Sequence, residues 1–187
     1  MRLSALRHLT EAVRSLAQSR QVRILGSSAL LASFPELGKA GDPIEASFDA
    51  DLLINPCDEQ LAAMLHEALG EGSLFAQRTG YHVDILHPDI VEMLPPAWET
   101  RLVKLDGPGD IAALAPEDVL VAKLRVGRDK DLELCRWLFE KGNVDPRTVR
   151  ARLDVTPMPE AEVVRVYRRL EACLDDANDF SGAPERL

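Results

Sequence analysis

The sequence predicts an α+β domain with a helical C-terminal part, and three observations lead there. Stretches with strand character, at 21–25, 48–54 and 81–86, all fall in the first half of the chain. From Pro116 onward, apolar residues recur only at helical spacing. Glycine and proline cluster between the strand-like stretches, above all in the loop 35–44. Strands gathered ahead of helices, without strict alternation, are the order of an α+β chain. A chain of 187 residues suffices for one domain with a small appendage. The expected division is a core with an N-terminal helix over 1–115 and a helical region over 116–187 packed on it.

In chain order, Leu3, Leu6, Leu9, Val13 and Leu16 form one apolar stripe, so 2–19 reads as an amphipathic helix. Residues 21–25 make a short strand ending at Gly26-Ser27-Ser28, and 29–34 a helix. The strand 48–54 follows the loop, then a helix that Asp58 or Pro56 starts and Gly70 ends. Tyr81, Val83 and Ile85 alternate with His82, Asp84 and Leu86, the pattern of a half-buried strand. Residues 101–105 are a further strand, with the turn Asp106-Gly107-Pro108-Gly109 after it. The remaining helices are expected at 116–126, 129–141, 146–153 and 158–177.

Composition narrows the functional classes. With 22 Lys+Arg against 31 Asp+Glu, the formal charge is −9. That balance disfavours a broad surface that tracks nucleic-acid phosphates, while leaving room for a small basic pocket. Positive charge does gather in the helical half, at Arg125, Arg128, Lys130, Arg136, Arg147, Arg150 and Arg152, then at Arg165, Arg168 and Arg169. A basic patch and a set of solvated helix faces are both compatible with that run. The stretch from Glu171 to Asp179 is acidic. Cys57, Cys135 and Cys173 are widely spaced with no C-x-x-C, which excludes a disulfide scaffold and a zinc ribbon and fits a reducing cytoplasm. The longest apolar stretches are far too short to cross a bilayer, and the first residues lack a signal-peptide core. Neither membrane insertion nor export is expected.

The most informative stretch is Phe48-Asp49-Ala50-Asp51-Leu52-Leu53-Ile54. Residues two apart on a strand share a face, so Asp49 and Asp51 project together, with Phe48, Ala50 and Leu52 turned the other way. Adjacent like charges are costly unless a cation lies between them, and oxygen ligands suit Mg²⁺. Asp84 sits mid-strand in its own segment and joins the pair if the two strands are neighbours. His82 shares its face. Three convergent carboxylates can hold two metal ions for in-line phosphoryl chemistry. A solvated sheet face accommodates the same pattern.

Gly26-Ser27-Ser28 lies between an apolar strand and a helix. Backbone N–H groups at a helix start bind anions, glycine lets a phosphate approach, and a serine hydroxyl adds a donor. The alternative is ordinary helix capping. No lysine follows at Walker A spacing and no G-x-G-x-x-G occurs. H-E-x-x-H and G-x-S-x-G are absent too.

Strand, Gly26-Ser27, helix, then a strand with Asp49-x-Asp51 and a later strand with Asp84 together resemble the nucleotidyltransferase superfamily of DNA-polymerase-beta-like fold. The AbiEii-type branch, toxins of type IV toxin–antitoxin systems and related bacterial domains, is the most similar. The segment from Pro116 to Leu134 resembles a helical region of that branch, with Lys123 and Asp131 at the matching positions. The resemblance implies a small mixed sheet, triphosphate contacts from Gly26, Ser27 and Ser28, and metal binding by Asp49, Asp51 and Asp84. Asp84 would alternatively take the proton of the attacking hydroxyl. Lys123, Arg128 and Asp131 would line the nucleotide pocket, although a Lys123–Asp131 or Arg128–Asp131 ion pair explains the same residues. The implied reaction is Mg²⁺-dependent transfer of NMP from an NTP to a hydroxyl of RNA, such as tRNA, or of protein. An antitoxin protein is the implied partner. The separation of Ser27 from Asp49 exceeds the usual superfamily spacing, and the loop 35–44 absorbs the excess. That spacing favours the alternative, a non-catalytic nucleotide-binding or protein-interaction module with the same fold.

Overall fold

The computed structural model describes residues 1–18, 20–45, 47–106 and 110–181. The chain forms two compact units. One comprises Met1–Ile90 and Trp98–Ala115, and the other Val91–Ala97 with the chain from Pro116 onward.

Among the described residues, the first unit is built on a five-stranded mixed sheet. Helix α1 (Leu3–Ala17) precedes it, its stripe Leu6, Leu9, Val13 and Ala17 fully buried. Strand β1 (Gln21–Ile24) is central, antiparallel to β2 (Asp49–Asn55) and parallel to β5 (Ile111–Ala113). Strand β3 (His82–Ile85) runs parallel to β2, and β4 (Val103–Lys104) antiparallel to β5. The parallel β2–β3 pair requires a crossover. Helix α3 (Glu59–Leu69) is its longest element, packed on α1 and β3. Asp58 caps α3 by accepting from the Leu61 N–H at 2.8 Å, as the sequence predicts.

Four features depart from expectation. Residues 29–34 are not one helix: a 3₁₀ turn, Ser27–Ala29, leads into a single α-turn, α2 (Leu30–Ser33). A short helix, α4 (Leu74–Thr79), capped by Ser73, fills the span after α3. Strand β5 is not expected from the sequence, because Ile111-Ala112-Ala113 is short and alanine-rich. Its register is imposed by β1, with Val22 opposite Ile111, and Arg23 clamps the junction by donating to both Asp110 carboxylate oxygens at 2.9 and 3.1 Å. Phe48 lies just outside β2 and is 59% exposed, whereas Ala50 and Leu52 are buried as expected. Of the predicted turn, Gly107, Pro108 and Gly109 lie outside the described residues, as does Ser19 of the predicted first helix.

The second unit contains α5 (Pro116–Val126), α6 (Asp129–Glu140), α7 (Pro146–Val155) and α8 (Glu160–Ser181). Val119, Leu120, Leu124, Leu138, Val149 and Val166 form its core, each without measurable exposure. Among the described residues, no helix is long and apolar enough to cross a membrane.

Candidate active site

The parallel register of β2 and β3 builds the site. It sets Asp51 opposite Asp84 and Asp49 opposite His82, while strand alternation keeps all four residues on one face. One carboxylate oxygen from each of Asp49, Asp51 and Asp84 lies within 4.8 Å of the others. Ala50, Leu52 and Val83 on the opposite face are fully buried, which fixes the register: a slip of one residue would drive the acids into the core.

Each carboxylate has a distinct setting. Asp49 Oδ1 accepts a hydrogen bond from Ser47 Oγ at 3.0 Å. Asp84 is half exposed, and His82 Nε2 stands 3.9 Å from its Oδ1. Asp51 lies against Gly26, where a Cβ would fall 1.7 Å from Asp51 Oδ2. Phosphate approach is the reason the sequence suggests for Gly26. The geometry adds a nearer one, since the Asp51 carboxylate occupies the volume of the missing side chain.

That contact joins the glycine–serine turn to the acids. Leu25 N–H donates to Asp51 C=O at 2.9 Å, carrying the β1–β2 pairing to the edge of the turn. As the first residues of a turn, Ser27 and Ser28 keep N–H groups that no carbonyl within it can reach. The Ser28 hydroxyl is buried with no hydrogen-bond partner among the described residues. A three-residue 3₁₀ turn and one α-turn carry little macrodipole, so the dipole expected here contributes little. Any anion affinity of the turn comes from its N–H groups and hydroxyls.

The donor set fits hard divalent cations, with three carboxylate oxygens at a spacing one or two ions can bridge. Ser47 is the site residue that motif reading misses. Its place two residues before Asp49 is the available signal, because it prolongs the same alternation.

A family model described as "Nucleotidyltransferase of unknown function (DUF6036)" matches residues 2–158. The chain belongs to that family. No curated protein and no solved structure matches it. The α+β architecture with a small mixed sheet is consistent with a nucleotidyltransferase fold.

The other predicted nucleotide contacts of this nucleotidyltransferase-family chain lie in the helical unit and engage one another. Asp131 is 1% exposed and accepts from Lys123 Nζ at 3.0 Å and Arg128 Nε at 2.8 Å. The Arg128 backbone N–H also donates to it, at 3.3 Å, so Asp131 closes the first turn of α6. Burial opposes its charge, but the hydrogen bonds from Arg128 and Lys123 win and hold its carboxyl below the ordinary value. Of the basic run, Arg125 pairs with Glu162 at 2.7 Å, Arg152 faces buried Asp118 at 3.5 Å, and Arg150 pairs with Glu171. Those members are spent on helix packing.

Gly26→Ala tests the contact between turn and acid. The added methyl must displace the Asp51 carboxylate, so Mn²⁺ affinity is expected to fall at least about tenfold. The stability cost is that of overpacking, about 1–3 kcal/mol. Calorimetric Mn²⁺ titration and thermal melting of both proteins check this, and unchanged metal affinity would contradict the contact.

Proposed function

We propose that this protein is a Mg²⁺-dependent nucleotidyltransferase of the AbiEii-type branch. It transfers NMP from an NTP to a hydroxyl of RNA, such as tRNA, or of protein. In this reading it is the toxin of a type IV toxin–antitoxin system in a bacterial cytoplasm, with an antitoxin protein as partner. One observation carries the chemistry: three carboxylates from two neighbouring strands converge beside a turn shaped around one of them. Membership of a nucleotidyltransferase family supports it.

Asp49, Asp51 and Asp84 would hold one or two Mg²⁺ ions. Such ions neutralise the triphosphate and the charge that develops during transfer. The acceptor hydroxyl oxygen bonds to the α-phosphorus, the bond from that phosphorus to the bridging oxygen breaks, and pyrophosphate leaves. Asp84, the most exposed of the three acids, either completes the metal site or takes the hydroxyl proton. Ser27 and Ser28 offer N–H groups to the triphosphate, and the unpartnered Ser28 hydroxyl is a further donor. Gly26 keeps the turn close to Asp51. The same reading retains Lys123, Arg128 and Asp131 as nucleotide contacts on the family resemblance. Rate enhancement comes from positioning and electrostatics, with no covalent enzyme intermediate.

The test is transfer of label from each α-labelled NTP, with Mg²⁺, to total RNA and to protein of a bacterial lysate. Label on one acceptor class that is lost in Asp49→Asn/Asp51→Asn is the expected result. Metal-dependent NTP binding without labelled product would instead establish the non-catalytic module, which the long Ser27–Asp49 separation favours.

A further inference from the structure

We propose that the outer face of α8 is a self-association surface, on which α8 of a second copy of this chain lies antiparallel across a two-fold axis. The inner face of α8 is spent within its own unit: Val166, Leu170 and Cys173 are buried, with α6 as the main neighbour. The outer face repeats at helical spacing through Ala161, Val164, Arg165, Arg168, Ala172 and Asp175, all exposed. With Leu132 of α6, part of this face lines an open groove of about 450 Å³. Among the described residues, its lining is apolar or arginine.

Several arginines of this unit are already engaged. Arg125, Arg128, Arg150 and Arg152 each face a carboxylate. Arg169 is fixed by donating to the carbonyls of Leu124 and Arg125 at 2.8 and 2.7 Å, with its guanidinium filling the space beside Gly127. Arg165 and Arg168 form no ion pair among the described residues, and neither does Asp175. Arg168 and Asp175 are two helical turns apart on one face, about 10 Å along the axis. A lone helix cannot bring them together.

A two-fold axis can. Centred between Glu171 and Ala172, it sets Arg168 of each chain beside Asp175 of the other, satisfying both charges twice. A parallel arrangement would set like beside like. Glu171 is already engaged by Arg150, and Ala172 is small enough at the axis for close approach of the helices. Val164, 52% exposed, lies on the same face. Self-complementarity of one patch is what an isologous dimer requires. Exposed ion pairs are individually weak and screened, so the dimer is expected to be salt-sensitive.

The test is sedimentation of the full chain over a range up to about 200 μM, in about 50 mM and then about 1 M NaCl, where screening lengths differ severalfold. Dimer at low salt and monomer at high salt is expected. Arg168→Glu and Asp175→Arg should each weaken self-association at least about tenfold with the helical circular dichroism unchanged. An equimolar mixture of the two variants should then pair. The carboxylate introduced in one variant meets the guanidinium introduced in the other, and the unchanged Asp175 of the first meets the unchanged Arg168 of the second. A wild-type monomer throughout, or a mixture that stays monomeric, overturns the proposal. So does a dimer indifferent to both variants. Capture of RNA or an acidic peptide by Arg165 and Arg168 without dimerisation would assign the groove to that partner and also overturn it.

Discussion

Asp51→Asn is expected to lower nucleotidyl transfer at least about a thousandfold while leaving the folded protein as stable as before, or slightly more so. Asp51 stands at the centre of the site. It is opposite Asp84 across the β2–β3 ladder, two residues from Asp49, and against Gly26. Losing its charge removes one of the proposed metal ligands, which neither neighbour replaces. The same loss relieves repulsion among three carboxylates whose oxygens lie within 4.8 Å of one another. Activity and stability therefore move in opposite directions, which a merely structural aspartate would not produce. Label transfer and thermal melting on one preparation decide it. Full activity, or a large drop in melting temperature without metal, would overturn the assignment. Asp49→Asn should behave alike with a smaller structural response, because the amide oxygen can still accept from Ser47 Oγ.

The parts of this site legible in the sequence are those set by local geometry. Asp49-x-Asp51 needs only strand alternation, and Gly26-Ser27-Ser28 only a strand followed by a turn. The convergence of Asp84 is conditional, because it depends on which strands pair and in what register. No short-range pattern encodes the parallel ladder from Asp49–His82 to Leu52–Ile85. It follows from burying Ala50, Leu52 and Val83 under the crossover that contains α3. Strand β5 escapes the sequence for a related reason. Ile111-Ala112-Ala113 has little intrinsic strand character and becomes a strand because β1 offers it a free edge. The Gly26 contact is legible only as a glycine, since the carboxylate that needs the space lies on another strand.

Replacing Asp131 by Asn should cost about 3 kcal/mol or more, a fall in melting temperature of roughly 6–12 °C. The sequence alone places an acid on the buried face of a helix beside a lysine interrupting an apolar run, and such an acid needs partners. The structure supplies four, from Lys123 Nζ, Arg128 Nε, Arg128 Nη2 and the Arg128 backbone N–H. Lys123 is only 12% exposed, so neutralising Asp131 strands an ammonium group that water reaches poorly. An asparagine amide also turns a donor toward groups that already donate. Because the Asp131 carboxyl is held below its ordinary value, its contribution is in place above about pH 4 and is lost as pH falls through the lowered value. The difference between wild type and Asp131→Asn should therefore be flat from about pH 5 to 8 and shrink in stronger acid. A double variant, Lys123→Met/Asp131→Leu, should recover much of the loss by removing both buried charges together. Melting curves of the three proteins across that pH range test the account. A stability-neutral Asp131→Asn would mean that the Lys123–Asp131–Arg128 cluster does not hold the helical unit together.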